Sequence, residues 1–167
     1  MTDAASSVRP ATAADIPHIH RLVRGLAEYE RMLAKFTATE ADFHAALFGP
    51  SPRLHALLAQ PDGHPPVGVA LFYYTVSTFA CRPNLFLEDL FVEPAHRGQG
   101  HGLALLRALA QRAVAEGCAR IDWHVLNWNE PSIAFYESLG ATRMTEWHVR
   151  QLQGEALQSL AEGTPHG

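Results

Sequence analysis

The feature that most constrains this chain is a glycine-rich turn, Arg97-Gly98-Gln99-Gly100-His101-Gly102, between an apolar run at 85–92 and a helical pattern at 103–116. The order strand, turn, helix places backbone N–H groups at a helix start, where the helix dipole favours an anion. Glycines at alternate positions let the backbone approach a bulky group closely. We therefore expect this turn to bind a pyrophosphate. A tight turn without a ligand is the alternative.

The spacing of these glycines excludes two common phosphate-binding motifs. Gly98, Gly100 and Gly102 occupy alternate positions, so they do not match the Gly-x-Gly-x-x-Gly of dinucleotide-binding folds. No Gly-Lys-Ser or Gly-Lys-Thr follows, which excludes a P-loop. The pattern that does match is Arg-x-x-Gly-x-Gly, beginning at Arg97.

Composition narrows the class of protein. The chain has 167 residues, a suitable length for a single α/β domain spanning 1–167. Its net charge of −4 argues against nucleic-acid binding, and no run approaches the ~20 apolar residues of a membrane helix. Its 2 cysteines and 10 histidines lack metal-ligand spacing, and the N-terminus shows no secretory signal pattern. We expect a cytoplasmic protein with no metal, nucleic-acid or membrane partner.

Hydrophobic periodicity predicts an α/β (α+β) chain in which an antiparallel meander precedes the turn. Thr12 and Thr39 are predicted N-caps, each followed by an acid at the capping-box position. The helix after the turn is expected to bury Leu103, Leu106, Leu109, Ala110, Ala113 and Val114. Predicted strands lie at 8–11, 54–59, 67–78, 85–92, 120–125 and 144–152, and helices at 12–29, 39–48, 100–116, 131–139 and 155–161.

Three further stretches, together with the turn, resemble segments of a known family. They are Arg9-Pro10-Ala11-Thr12-Ala13-Ala14-Asp15, Leu87-Glu88-Asp89-Leu90-Phe91-Val92 and Trp128-Asn129-Glu130-Pro131-Ser132-Ile133-Ala134-Phe135-Tyr136. With the turn, they resemble the GNAT family of acetyl-coenzyme-A-dependent N-acetyltransferases, and specifically its spermidine/spermine (diamine) branch. The resemblance implies the GNAT fold, a mixed, mostly antiparallel sheet of about six to seven strands flanked by about four to five helices.

The resemblance also implies which residues hold acetyl-coenzyme A. The turn would take the pyrophosphate through its N–H groups, and Arg97 would add a positive charge. The preceding strand would offer main-chain groups to the pantetheine and the acetyl group, and the start of the helix after Asn129 would meet the cofactor arm. The predicted cofactor-binding residues are Leu90, Phe91, Val92, Arg97, Gly98, Gln99, Gly100, His101, Gly102, Leu103, Asn129, Glu130, Pro131, Ser132 and Tyr136.

Transfer from a thioester to an amine needs a base for the amine and an acid for the leaving thiolate. Glu88 is the predicted base, directly or through a water. The resemblance places Tyr136 at the position of the family's catalytic tyrosine, so Tyr136 is the predicted acid. Strand alternation sends Glu88 and Asp89 to opposite faces, so we expect only one of them in a given cleft. The predicted amine-binding residues are Tyr29, Glu30, Glu88, Asp89, Asp122, Trp123, His124 and Glu146.

The acceptor is the least constrained part of the prediction. The branch carries an acid near Ser77-Thr78-Phe79, and this chain has none there, so a diamine or a thialysine-like amino acid competes with a polyamine. A protein or peptide amine, or a non-catalytic acyl-coenzyme-A-binding module, stays open as an alternative. The resemblance also implies a homodimer.

Overall fold

The structure is a computed structural model that describes residues 7–163. Its contacts group into two compact units, one ending at His124 and the other beginning at Val125. The predicted single domain of 1–167 extends beyond the described residues at both ends and stays a prediction. Each unit is described by itself below.

The first unit is built on a five-stranded sheet in the order β1-β2-β3-β4-β5. Neighbours from β1 to β4 are antiparallel, and β5 is parallel to β4. This confirms the meander and the mixed, mostly antiparallel sheet. The strands are β1 Ser7–Pro10, β2 His55–Gln60, β3 Gly68–Ser77, β4 Arg82–Val92 and β5 Ile121–Trp123.

Three α-helices accompany this sheet: α1 Ile16–Tyr29, α2 Glu40–Phe48 and α3 His101–Ala115. Both predicted capping boxes are present. The Asp42 carboxylate accepts from the Thr39 amide at 2.8 Å, and the Asp15 carboxylate accepts from the Thr12 amide at the same distance. Arg9 donates two further hydrogen bonds to Asp15, which holds the start of the first helical segment against β1.

The two faces of the sheet are covered by different helices. On one face, α1 and α2 pack Ile19, Leu22 and Phe43 against strand residues that include Leu71 and Phe91. The opposite face carries Phe72, and the Arg112 guanidinium of α3 lies 5.2 Å from the centre of its ring. The sheet is therefore the middle layer of the first unit.

The predicted buried face of α3 is partly wrong. Leu103, Ala110 and Val114 are exposed, whereas Leu105, a residue missing from the prediction, is fully buried. The helix begins at His101, and its buried stripe follows the spacing of about 3.6 residues from that start. The buried residues of α3 are His101, Leu105, Leu106, Leu109 and Ala113.

A β-bulge interrupts β4 in its middle. Leu71 of β3 pairs with Asp89 and the next residue, Phe72, pairs with Leu87, so Glu88 is the extra residue. A bulge shifts the alternation of side chains by one position. Glu88 and Asp89 consequently share the sheet face of α1, and the expectation that they point to opposite faces is wrong.

The second unit contains α4 Glu130–Ser138 and α5 Gly154–Glu162. The predicted helices at 131–139 and 155–161 are confirmed within a residue or two. Among residues 7–163 the predicted strand at 144–152 is absent, and the sheet has five strands where about six to seven were expected. A strand needs a neighbour for its backbone groups, and the second unit, as far as the structure describes it, contains no strand that could pair with this segment. Its Trp147 and Val149 side chains are exposed.

Candidate active site

The turn between β4 and α3 owes its shape to two glycines. Gly98 and Gly100 have φ of 74° and 82°, values that are costly for residues with a side chain. Gly100 is the N-cap of α3, and its carbonyl accepts from the Ala104 amide at 2.9 Å. No acid lies in the first turn of α3, so nothing in that turn competes for the positive end of its dipole. This geometry is the one that an anion-binding turn requires.

Arg97 ties the turn to the strand before it. Its Nε donates to the Val92 carbonyl at 3.0 Å, and its guanidinium lies 4.6 Å from the centre of the Tyr29 ring and 5.6 Å from that of Phe91. Tyr29, predicted to contact the amine, thus lies beside a residue predicted to contact the cofactor. The end of α1 and the glycine-rich turn are neighbours in the first unit.

His101 contributes a side chain that the sequence prediction treated only as a backbone donor. It is 4% exposed, and among residues 7–163 neither of its ring nitrogens meets a hydrogen-bond partner. Burial, with the neighbouring His96, lowers the pKa of His101. The imidazole is therefore held in its neutral form at the start of α3.

Beside the bulge of β4 lies a cleft of about 370 Å³. One wall comes from the last turns of α1, another from the segment that follows α1, and the floor from the bulge. The predicted residues Glu30, Glu88 and Asp89 all line it. The remaining lining residues, which the prediction missed, are Val23, Leu26, Ala27, Met32, Lys35 and Phe36.

Asp89 is perturbed by its burial and by the other two carboxylates of this acidic cleft. Burial, followed by the negative charges of Glu88 and Glu30, raises the pKa of Asp89 to about 7. Burial also raises the pKa of Glu30. A group with a pKa near neutrality accepts and releases protons readily at physiological pH. The cleft therefore attracts cations and contains a group suited to act as a base.

The predicted residues of β5 lie apart from the lining of the cleft. The Nε–H of Arg120 is shared between the two carboxylate oxygens of Asp122, at 2.8 and 2.9 Å, so the two side chains form an ion pair. His124 packs edge-on against Phe86 at 5.1 Å. Trp123 pairs with Leu87, the last residue of β4 before the bulge, and the β4–β5 ladder ends there. A role in amine binding for Asp122, Trp123 or His124 stays a prediction.

The second unit carries the remaining predicted residues. Asn129 is buried and caps α4, since its side chain accepts from the Ser132 amide at 3.4 Å. Glu130 and Pro131 form the first turn, and Tyr136 lies on the same helix as Ser132, its ring 5.5 Å from that of Phe135. Glu146 lies in the exposed segment before α5. Their roles toward cofactor and amine stay predictions.

Comparison with known proteins identifies the family. The model of the acetyltransferase (GNAT) family matches residues 19–141. The chain belongs to the GNAT family. It is 37% identical over 164 residues to the thialysine N-epsilon-acetyltransferase of Bos taurus, covering 92% of this chain and 96% of the relative. It is 30% identical over 200 residues to an L-ornithine N5-acetyltransferase of Arabidopsis thaliana, covering 93% and 87%.

Solved structures share the fold of this chain. A putative acetyltransferase from Agrobacterium tumefaciens aligns with a TM-score of 0.70 at 29% identity, over 87% of this chain and 99% of that one. An integron cassette protein of V. cholerae aligns with a TM-score of 0.78 at 24% identity, over 93% and 97%. Both alignments confirm the predicted fold class.

Membership makes this chain an N-acetyltransferase, and acetyl-coenzyme A is the co-substrate of the GNAT family. Two further properties concern residues 7–163. No described helix has the length and apolar character to cross a membrane. Within the same residues, no three His, Cys, Asp or Glu side chains are grouped to hold a metal ion.

Proposed function

We propose that this enzyme transfers the acetyl group of acetyl-coenzyme A to a primary amine of a small cationic acceptor, a polyamine, a diamine or a thialysine-like amino acid. The observation that carries the proposal is the cleft lined by Glu30, Glu88 and Asp89 beside the β4 bulge. Carboxylates attract an ammonium group, and a base among them can remove its proton. Relatives named for thialysine and ornithine acetylation support a small amine as acceptor.

In the proposed complex, the coenzyme lies along the end of β4 and the turn. The amides of Gly98 to Leu103 donate to the pyrophosphate, with Gln99 and Arg97 beside it. The main chain of Leu90, Phe91 and Val92 meets the pantetheine and the acetyl group. The start of α4, with Asn129, Glu130, Pro131 and Ser132, meets the cofactor arm.

The proposed reaction proceeds by direct attack. Glu88 takes a proton from the ammonium group, directly or through a water, and the amine nitrogen then attacks the thioester carbonyl carbon. As the C–S bond breaks and the thiolate leaves, the attacking nitrogen loses its second proton and becomes the amide nitrogen. Tyr136 protonates the thiolate, and the second proton of the nitrogen passes through solvent to restore the Tyr136 hydroxyl. Asp89, with its pKa raised to about 7, is the second candidate for the base because the bulge places it in the same cleft.

A thiol-release assay with acetyl-coenzyme A tests this function. The acceptors are putrescine, spermidine, spermine, thialysine, lysine and a basic peptide. We expect release with at least one small amine and product mass increased by one acetyl group. Coenzyme binding without turnover on any acceptor would instead support a regulatory acyl-coenzyme-A-binding module, and turnover on the peptide alone would support a protein acetyltransferase.

Assembly and location complete the proposal. A homodimer matches the diamine branch that the sequence resembles, and light scattering that returned the 18.3 kDa mass of one chain would contradict it. A cytoplasmic location matches a protein whose thiols, Cys81 and Cys118, are both free.

A further inference from the structure

The acceptor cleft contains a cation whose position the proposed reaction does not explain. Lys35 lines the cleft together with the three carboxylates, and it is the only lysine of the chain. An acceptor with ammonium groups alone would gain from the carboxylates but would be repelled by this amine. Lys35 is exposed to solvent and can offer a ligand a positive charge beside the acids.

The backbone holds Lys35 in place from both sides. It ends a single turn of 3-10 helix, Leu33–Lys35, in which the Lys35 amide donates to the Met32 carbonyl at 2.8 Å. Before it, the Met32 amide donates to the Ala27 carbonyl of α1 at 2.8 Å. After it, a ring nitrogen of His20 lies 3.1 Å from the Ala38 carbonyl oxygen.

Phe36 strengthens this anchoring. Its ring lines the cleft and lies 5.2 Å from the ring of His20, centre to centre, on α1. The segment from Met32 to Ala38 is thus tied to α1 at three points. The charged end of Lys35 extends from a fixed backbone rather than from a loose loop.

The positive and negative charges of the cleft are kept apart. Among residues 7–163, no ion pair within 4.0 Å joins Lys35 to Glu30, Glu88 or Asp89. An internal ion pair would have cancelled both charges and left the cleft with less to offer a ligand. Separated charges instead match a ligand that carries both signs.

We infer that Lys35 is the specificity residue for an acceptor carboxylate, so that the preferred substrate is an α-amino acid with a side-chain amine rather than an amine without an acid group. The amino acid's ammonium groups face Glu30, Glu88 and Asp89, and its carboxylate accepts from the Lys35 ammonium. A basic amino acid carries two positive charges and one negative, which complements three carboxylates and one lysine. This inference rests on the proposed function and names its substrate class.

Pairs of acceptors that differ only by the carboxylate test the inference. Lysine is compared with cadaverine, and ornithine with putrescine, on the wild type, on Lys35→Gln and on Arg107→Gln. Arg107 is an exposed cation of α3 outside the cleft and serves as the matched control. We expect the wild type to prefer each amino acid over its diamine.

The variants should separate the two acceptor classes. Lys35→Gln should lower kcat/KM for the amino acids about tenfold, the size of one lost charge-assisted hydrogen bond, mainly through KM. It should raise kcat/KM for the diamines, since a repelling charge is removed. Arg107→Gln should leave kcat/KM unchanged for both the amino acids and the diamines. An equal change for amino acid and diamine in Lys35→Gln would overturn the inference.

A second readout does not depend on turnover. Because the chain has one lysine, an amine-selective reagent modifies Lys35 and the N-terminal amine alone, and peptide mass spectrometry distinguishes the two. Because the added amines consume reagent, modification of Lys35 is measured relative to that of the N-terminal amine in the same sample. Lysine or ornithine should lower this ratio, and the matched diamines should not. Protection without any acetyl transfer would support the carboxylate site while the proposed function failed. Acetyl transfer together with equal protection of Lys35 by amino acids and diamines would support the proposed function while the carboxylate site failed.

Discussion

The glycine-rich turn and the acidic cleft prepare for their ligands by different means. The turn has a shape fixed by Gly98 and Gly100 and presents main-chain N–H groups, which do not titrate. The cleft presents the side chains of Glu30, Glu88 and Asp89, and the pKa of Asp89 is raised to about 7 by burial and by the other two carboxylates. Binding at the turn should therefore tolerate changes of side chain but not of backbone, and the reverse should hold at the cleft.

The largest expected effect comes from removing both carboxylates of the bulge. The double variant Glu88→Gln, Asp89→Asn leaves no base on β4, so kcat should fall by about 100-fold or more. The dissociation constant of acetyl-coenzyme A, measured by calorimetry, should stay within about twofold if turn and cleft act separately. Asp62→Asn, at an exposed acid of the β2–β3 turn, is the control and should keep full activity.

The next effect concerns the pH dependence that the cleft imposes. If Asp89 accepts the proton, kcat/KM should rise with pH through about 7, because the base acts only when deprotonated. Asp89→Asn should then remove this rising limb of the pH profile of kcat/KM. Glu30→Gln should move it to lower pH, because one of the negative charges that raise the pKa of Asp89 is lost. A limb unmoved by either change would assign the base elsewhere.

A backbone change at the turn gives a smaller effect on a different quantity. Gly100→Ala puts a side chain at φ 82°, and the strain should weaken acetyl-coenzyme A binding about tenfold. Gly63→Ala is the matched control, since Gly63 has φ 72°, and a Cβ at either position has no atom within 4 Å. Both variants should lose about 1 kcal/mol of stability. Equal coenzyme affinities in the two would contradict a role for the turn.

The smallest effect comes from a side chain of the turn. His101→Leu keeps the backbone N–H and removes two buried, unpaired nitrogens, so stability should rise by about 1 kcal/mol at pH 7.5. Because the pKa of His101 is lower in the folded chain than its ordinary value near 6.5, its protonation favours the unfolded chain, and the wild type loses stability as pH falls below about 6.5. The difference in unfolding free energy between variant and wild type, measured from urea midpoints, should therefore be larger at pH 5.5 than at pH 7.5.

Coenzyme affinity provides the second part of that test. His101→Leu should bind acetyl-coenzyme A as the wild type does, because the proposed contact is the amide and not the imidazole. His64→Gln, at an exposed histidine, should show the wild-type pH dependence. A stability gap that is the same at both pH values would mean that His101 does not titrate with unfolding.

The sequence predicted those parts of the molecule that depend on local patterns. The turn, the caps at Thr12 and Thr39, and the meander follow from residues close together in the chain, and the structure confirms them. The cap of α4 by Asn129 was predictable for the same reason.

Features that depend on pairing between distant residues were missed. The bulge at Glu88 arises from the register between β3 and β4, and nothing in the alternation of β4 alone shows it. That register places Glu88 and Asp89 on one face. Lys35 was not predicted as a site residue because its place in the cleft depends on the path of the segment that follows α1. The strand expected at 144–152 failed because an apolar pattern does not supply a partner strand.

We expect the turn to hold the coenzyme and the cleft beside the bulge to hold the amine. A crystal structure with coenzyme A and a basic amino acid is the direct test of this division. The pyrophosphate should lie within hydrogen-bond distance of the amides from Gly98 to Leu103, and the side-chain amine within that distance of Glu88 or Asp89. A pyrophosphate away from the turn, or an amine bound outside the cleft, would contradict it.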